Sequence, residues 1–561
     1  MMDSTEQHQH SDAHEGEAAR PSRLRARLLW IGGIVVLVLL LLLTPPLLNV
    51  SRLRRRIATS MSASLGRPVH LDNVTLQMLP IPGFVLQNLV VSEDPTFGNE
   101  PIIRANKVLV TLRPSSLWRR QIEVSSVRFQ VDDFGTGPTL NLVRNAQGEW
   151  NLQSLLMHAA EVDAAPTEQV TAGPAPRFPY VEATNGRVNV KLGDEKQPFS
   201  LTEADFALWL PSAEQWRVRL VGKPTRTDTN VSDSGTMRLE GQLQRAATMG
   251  EVPVDLRMSW HNAPLGEASK LMTGSDAGWR GTLNADATLF GPLKAAKLIA
   301  GIHLNDLRRA DFVPGKTLNV NIECNGSFNM PNAIVQSPSC ALPTPVPEGS
   351  KVAGQAVAIA DTAELQEVQS AEHGVHGLRL GMTNVANSYV MDWARLFSQR
   401  VPAALTTHGT TSGSVVYVPA SESAAGWQGE FHMELHAAEG DATVGAHAPQ
   451  TLSFVANQMQ IALQPLTVSA AKAAPLVLAG EATMQGYSLR LAGTTTVAQL
   501  TSLRGILPPF GDGLNAAVPE LADAKASQEK PLKVNVTCAR VWGGTQTCSE
   551  AAVVAAPRRR R

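Results

Sequence analysis

The feature that most constrains this chain is a change of parity inside its strands. In RPVHLDNVTLQMLP, residues 67–80, Val69 and Leu71 alternate as in a β-strand, and after Asp72 and Asn73 the apolar set continues as Val74, Leu76 and Met78 on the opposite parity. The pattern returns as Phe84, Leu86, then Leu89, Val91; as Ile103, Ala105, then Val108, Val110, Leu112; and as Ile122, Val124, then Val127, Phe129, Val131. Four copies so close together mark a repeated structural device. Two readings fit. If the two polar residues form a tight turn, each unit is a short hairpin, and Asp72-Asn73 tolerates the positive φ that this requires. If the strand is continuous, one extra residue forms a β-bulge and both apolar sets face one side. Ser125-Ser126 and Asn106-Lys107 suit a turn less readily, so the bulge fits more of the copies. Bulges in successive strands bend a sheet around its apolar face and make a trough.

With 561 residues, the chain has room for several domains or one extended repetitive body. Its net charge of −1 offers no concentrated basic surface, which argues against nucleic acid as a partner. Residues 1–27, polar and His-rich with His8, His10 and His14, read as a disordered cytoplasmic tail. Residues 28–48 are uncharged and almost wholly aliphatic, the length of a transmembrane helix. A cleavable signal peptide is the rival reading, but the run is longer than a signal core and no small-x-small site follows it closely. Arginines at 20, 23, 25 and 27 are matched by Arg52, Arg54, Arg55 and Arg56, so the positive-inside rule is nearly a tie. The cysteines favour the outside. Cys324 and Cys340 lie in neighbouring extended segments, as do Cys538 and Cys548, so each pair can close a local bridge in an oxidising compartment. The expected location is the inner membrane, single-pass, with the bulk of the chain in the periplasm.

SRLRRRIATSMSASLG, residues 51–66, spaces Leu53, Ile57, Met61 and Leu65 four apart and stops at Gly66, as an amphipathic helix does. Its arginines can lie against lipid headgroups, or the helix can pack on the domain that follows. From Leu65-Gly66-Arg67 onward the order of motifs resembles the AsmA family. The shared features are a strand running up to Pro80, the turn Asp94-Pro95-x-Phe97-Gly98, and the closing Leu140-Asn141-Leu142 with Gly148-x-Trp150-Asn151-Leu152. A second block, residues 178–210 with Asn185-Gly186-Arg187 and Pro198-Phe199, is similar to the next part of such proteins. The resemblance implies an inner-membrane-anchored periplasmic protein of outer-membrane biogenesis, related to bridge-like lipid transfer proteins.

The expected fold is mainly β, α+β at the N-terminus: a transmembrane helix, then an elongated, curled, largely antiparallel sheet with an apolar inner face and few short helices. An AsmA-like domain over 51–157 is followed by an Ala-, Pro- and Thr-rich linker at 158–177 and a β-rich body over 178–510. A second linker at 511–530 leads to a terminal β-hairpin and basic tail at 531–561. Helical periodicity beyond residue 178 is confined to residues 364–370 and 393–399. AGWRGTLNADATL at residue 277 is echoed by AGWQGEFHMELHA at residue 425, which suggests a duplicated sheet unit or a chance likeness.

Nothing in the sequence assembles a catalytic centre. HMELH sets His432, Glu434 and His436 on one strand face, but Phe431, Met433 and Leu435 claim the apolar face, leaving the triad to solvent. Ser469-x-x-Lys472 sits in an extended apolar run without the helix start that acyl-transfer chemistry needs. No cofactor or catalytic residue is expected. Three functions stay in view: a phospholipid conduit or holder, a scaffold for envelope proteins that works by strand addition, and a metal enzyme using His432 and its neighbours. The residues expected to face lipid are Leu76, Met78, Leu86, Val91, Val110, Leu112, Val127 and Phe129. In the bland alternative the chain's own helices fill the inner face.

Overall fold

A computed structural model describes residues 30–37, 51–77, 81–113, 123–145, 149–153, 178–192, 195–311, 316–330, 334–360, 362–364, 378–397, 408–418, 426–435, 450–458, 460–468, 476–506, 513–521, 529 and 531–550. Twenty-six strands join in one sheet. The first seven are β1 (Val69–His70), β2 (Asn73–Gln77), β3 (Gly83–Val91), β4 (Ile103–Leu112), β5 (Val124–Gln130), β6 (Thr139–Arg144) and β7 (Tyr180–Leu192). β1 and β2 lie end to end along β3, and β5 and β6 lie end to end between β4 and β7. From β7 the chain meanders to the edge strand β26 (Thr547–Glu550), each strand pairing with the one before it except that β16 (Gln355–Ile359) and β17 (Thr362–Glu364) lie end to end on β15 (Ile334–Pro343) and β18 (Arg379–Ala386) pairs with β16. Among the described strands only the pairings of β5 and β6 with β7 are parallel. Since end-to-end strands share a position, the sheet has twenty-three positions, and at roughly 4.8 Å each its contour is roughly 100 Å.

The helices are α1 (30–37), α2 (Ser51–Leu65), α3 (Leu265–Thr273), α4 (Asn387–Phe397), α5 (Val497–Ile506) and α6 (Leu514–Ala517). Each of α2 to α5 leads into or out of the same end of the strands, which we call the upper rim. α2 precedes β1; α3 separates β11 (Pro253–Pro264) from β12 (Trp279–Pro292); α4 separates β18 (Arg379–Ala386) from β19 (Thr410–Val418). α5 and α6 lie between β24 (Gly486–Thr496) and β25 (Pro531–Val541). Where α2 and α3 end, Gly66 and Gly274 take the left-handed conformation, and the Gly274 N–H closes α3 on the Lys270 carbonyl at 2.8 Å.

Several expectations change against this sheet. The boundaries at 177 and 510 do not divide it, because β5 and β6 pair with β7 across the first and β24 pairs with β25 over eleven residues across the second. Residues 511–530 are more than a linker: α6 carries Leu514, which is fully buried in a core with Leu476, Leu491, Leu500 and Val536. An apolar residue every few positions was enough to build a buried turn where composition suggested a spacer. Residues 362–364 form a strand where helical periodicity was expected to begin, and residues 365–370 lie outside the described residues, as does the linker at 158–177. Trp393, in contrast, does lie in a helix, α4. Among the described residues no helix is long and apolar enough to cross a membrane. Of the segment 28–48 only 30–37 is described, as a helix whose Trp30, Ile31, Ile34 and Leu37 are all more than half exposed.

Candidate functional site

The parity switches build the apolar face. In β3, Phe84, Leu86, Leu89 and Val91 are all buried while Gln87 and Asn88 between them are exposed, so both apolar sets do face one side. In β4 the buried set is Ala105, Val108, Val110 and Leu112. The extra residues differ from ordinary bulges in one respect: the register does not shift across them. The pairings of β2 and β1 with β3, and of β3 with β4, keep the same register above and below the switch. Asp72, Asn88 and Asn106 therefore stand opposite one another in a line. Asn88, with φ 51°, donates its Nδ2 to Asp72 Oδ2 at 2.6 Å, and Asn106 donates to Asp132 Oδ2 at 2.7 Å. Three neighbouring strands turn together, which makes a crease across the sheet. The line meets the gap between β5 and β6. The fourth copy is an ordinary bulge, with Thr111 opposite Ser126 and Leu112 opposite Val124, so that Ser125 is the extra residue.

Further along, the device recurs singly. Asn185, Asn262, Asp306 and Asn384 have φ between 49° and 57°, each at a register shift in its strand. A left-handed residue other than glycine costs about 1 kcal/mol or more. In every case its backbone N–H is taken by a side-chain oxygen of the next strand: Asp205 Oδ1 at 2.9 Å, Asn284 Oδ1 at 2.9 Å, Asn319 Oδ1 at 3.0 Å and Ser412 Oγ at 2.9 Å. Such a latch holds the bulge and satisfies the donor that it leaves unpaired. α3 and α4 each begin three residues after a latched Asn, at Leu265 and Asn387. Sequence reading missed these four sites, although LNDL at 304–307 and MTNV at 382–385 repeat the apolar–polar–polar–apolar signal of LDNV.

The consequence is an apolar row that runs without a break from β2 to β19. Register partners run Val74, Leu86, Val108, Phe129, then Ala183, Phe206, Leu220, Leu239. They continue Met258, Ala287, Ala300, Cys324, then Cys340, Ala358, Leu380, Val415. Residues of the opposite parity, such as Ser259, His303, Asn321 and Glu323, form a polar outer face. Both disulfides lie on the apolar face: Cys324 with Cys340, and Cys538 with Cys548, each joining directly opposed residues with Cα atoms 4.0 Å apart.

Cover over the row is uneven. Val74, Leu86 and Val108 are at most 1% exposed, in a core to which α2 contributes Ile57, Ala58, Met61 and Leu65. From Ala183 to Leu380 the row is half-buried, except that Met258 is 36% exposed. α4 closes one patch of the upper rim, where Tyr389 and Leu396 pack with Leu307, Val320 and Val385. Of the residues expected to face lipid, Leu86, Val91, Val110 and Leu112 are buried, and Leu76, Val127 and Phe129 are half-buried around the same core. At this end the chain's own helix fills the curve. Met78 lies outside the described residues.

His432 lies on the outer face, paired with Glu430 at 3.1 Å, and His436 lies outside the described residues. Among the described residues no three His, Cys, Asp or Glu side chains gather as metal ligands. The motifs that carried the family resemblance meet in a buried polar network. Arg67 pairs with Asp94 at 3.1 Å and Glu93 at 3.6 Å, and lies 6.0 Å from the Phe97 ring centre. Asn151, fully buried, donates to Glu93 and to the Asn141 carbonyl and accepts the Val143 N–H; Asn189 donates to Asn141 Oδ1. These bonds secure β6 where the sheet changes to parallel pairing. The Asp94 carboxyl is held below the usual range first by the Thr96 N–H and hydroxyl, with Arg67 adding to them.

Residues 21–201 match the model of the AsmA family. No curated protein and no solved structure matches the chain.

Proposed function

Taking the chain as a member of the AsmA family over residues 21–201, we propose that it is a non-enzymatic envelope protein that holds or passes phospholipid acyl chains along its inner face. The observation that carries this reading is the unbroken row from Val74 to Val415, half-open over its central strands. A partly exposed apolar strip of this length is costly and needs a ligand or a cover. Acyl chains supply one without directional bonds, each methylene buried contributing about 0.8 kcal/mol. Residues 28–48 would anchor the chain in the inner membrane, a reading supported by α1, whose large apolar side chains are all more than half exposed. The two disulfides support a periplasmic body. Family membership is consistent with a part in outer-membrane biogenesis.

Photoreactive side chains placed singly at Met258 and Ile302 on the inner face, and at Ser259 and His303 on the outer, test the reading in cells. Phospholipid adducts are expected from the inner pair alone. Adducts from neither pair, or equally from both, would overturn it. The scaffold reading predicts protein adducts instead, at the β26 edge.

A further inference from the structure

α2 differs from the other helices in what holds it. α4 is clamped through Asn387, fully buried, which donates to the His408 and Glu434 carbonyls and accepts from Thr411 Oγ1. α3 is held by Arg226, which donates to the Leu271 and Met272 carbonyls. Between α2 and the sheet the side-chain hydrogen bonds of the described residues are two: Ser62 Oγ accepts the Val69 N–H at 2.9 Å, and Arg54 donates to the Asp72 carbonyl at 3.0 Å. Both sheet groups lie on the edge strand and can turn to water if the helix leaves. Among the described side chains the rest of the attachment is apolar: Ile57, Ala58, Met61 and Leu65, each itself only half-buried, lie on a surface that is almost wholly buried.

That surface is the start of the row that stands half-open farther along; only the cover differs. The cover is also the element next to the aliphatic segment 28–48 in the chain. We propose that the sheet surface beneath α2, around Leu76, Leu86 and Val108, is an acyl-chain site and that α2 is its displaceable plug. A phospholipid acyl chain takes the place of Ile57, Met61 and Leu65, while Arg54 and Arg55, exposed on the helix, stay at the headgroup level. The proposal rests on the lipid reading above.

The test uses the full chain in membranes of zwitterionic and anionic phospholipid carrying labelled acyl chains, with a photoreactive side chain at Leu76 or at Met258. Ser62→Cys with Val69→Cys locks α2 to β1, and Met61→Gln loosens it. Labelling at Leu76 is expected to fall at least tenfold in the locked chain, to return on reduction, and to rise about threefold with Met61→Gln. Wild-type chain in the same reductant controls for the two native disulfides. Equal labelling at Leu76 with the lock closed and open, or labelling at Met258 but never at Leu76, would overturn the plug while leaving the lipid reading intact. Absence of label at Met258 in every variant would overturn the lipid reading, and the plug with it.

Discussion

The creased end of the sheet and its centre solve one problem in different ways. Over β1 to β4 the extra residues align, the register stays constant and the apolar face closes under α2. From β11 to β18 the extra residues are staggered, those at Asn262, Asp306 and Asn384 each held by one latch, and the face is half-open. An aligned crease turns several strands at once and suits a compact core. Single bulges bend strands one at a time and let a long face stay continuous without closing.

Three measurements sharpen that contrast. The largest effect is expected for Leu86→Ala, which leaves a cavity in the closed core and should cost about 3 kcal/mol. Leu239→Ala, at the corresponding place in the half-open stretch, should cost about 1 kcal/mol. Thermal unfolding of the membrane-solubilised chain compares the two, and equal costs would mean that the centre is as closed as the end. Next, Asn262→Ala should cost about 1 kcal/mol because alanine resists the left-handed conformation. Asn262→Gly should be close to neutral, since its N–H still reaches Asn284. Hydrogen exchange should rise only in β11 and β12 for the alanine variant; spread to more distant strands would show that the latched bulges act as a line too. The smallest effect is a pH response at the crease. The Asp132 carboxyl is held below its usual range first by the Asn106 side chain, then by the Thr136 N–H, with Phe134 adding a third bond. A depressed carboxylate stabilises above its unfolded pKa and loses that contribution as pH falls through its folded value. Below about pH 4, amide exchange at Phe134 and Thr136 should quicken, while Asn262, held by an uncharged amide, should not respond.

Much of this architecture was legible in single strands, because parity is a local signal. LQNL at 86–89 announces that Leu86 and Leu89 share a face, and the alternation in LNVNIEC places Cys324 with Ile322. What parity cannot carry is the relation between strands. That Asp72 stands opposite Asn88, and Asn88 opposite Asn106, depends on pairing across fifteen and seventeen residues of intervening chain. The burial of Leu86 and Val110 follows from α2 folding back, which its four-residue apolar spacing permits but does not dictate. Asn141 and Asn151 read as motif residues. Their task, securing a strand among parallel neighbours, is visible only once β6 lies between β4 and β7.

The meander from β7 to β26, in which only β16 and β17 share a place, makes position along the chain nearly proportional to position along the sheet. The protein is in that sense a ruler. Adding or removing one hairpin in the stretch would move everything beyond it by roughly 10 Å while restoring strand direction and leaving the latches on either side intact. Reach and sequence length are thus coupled two strands at a time.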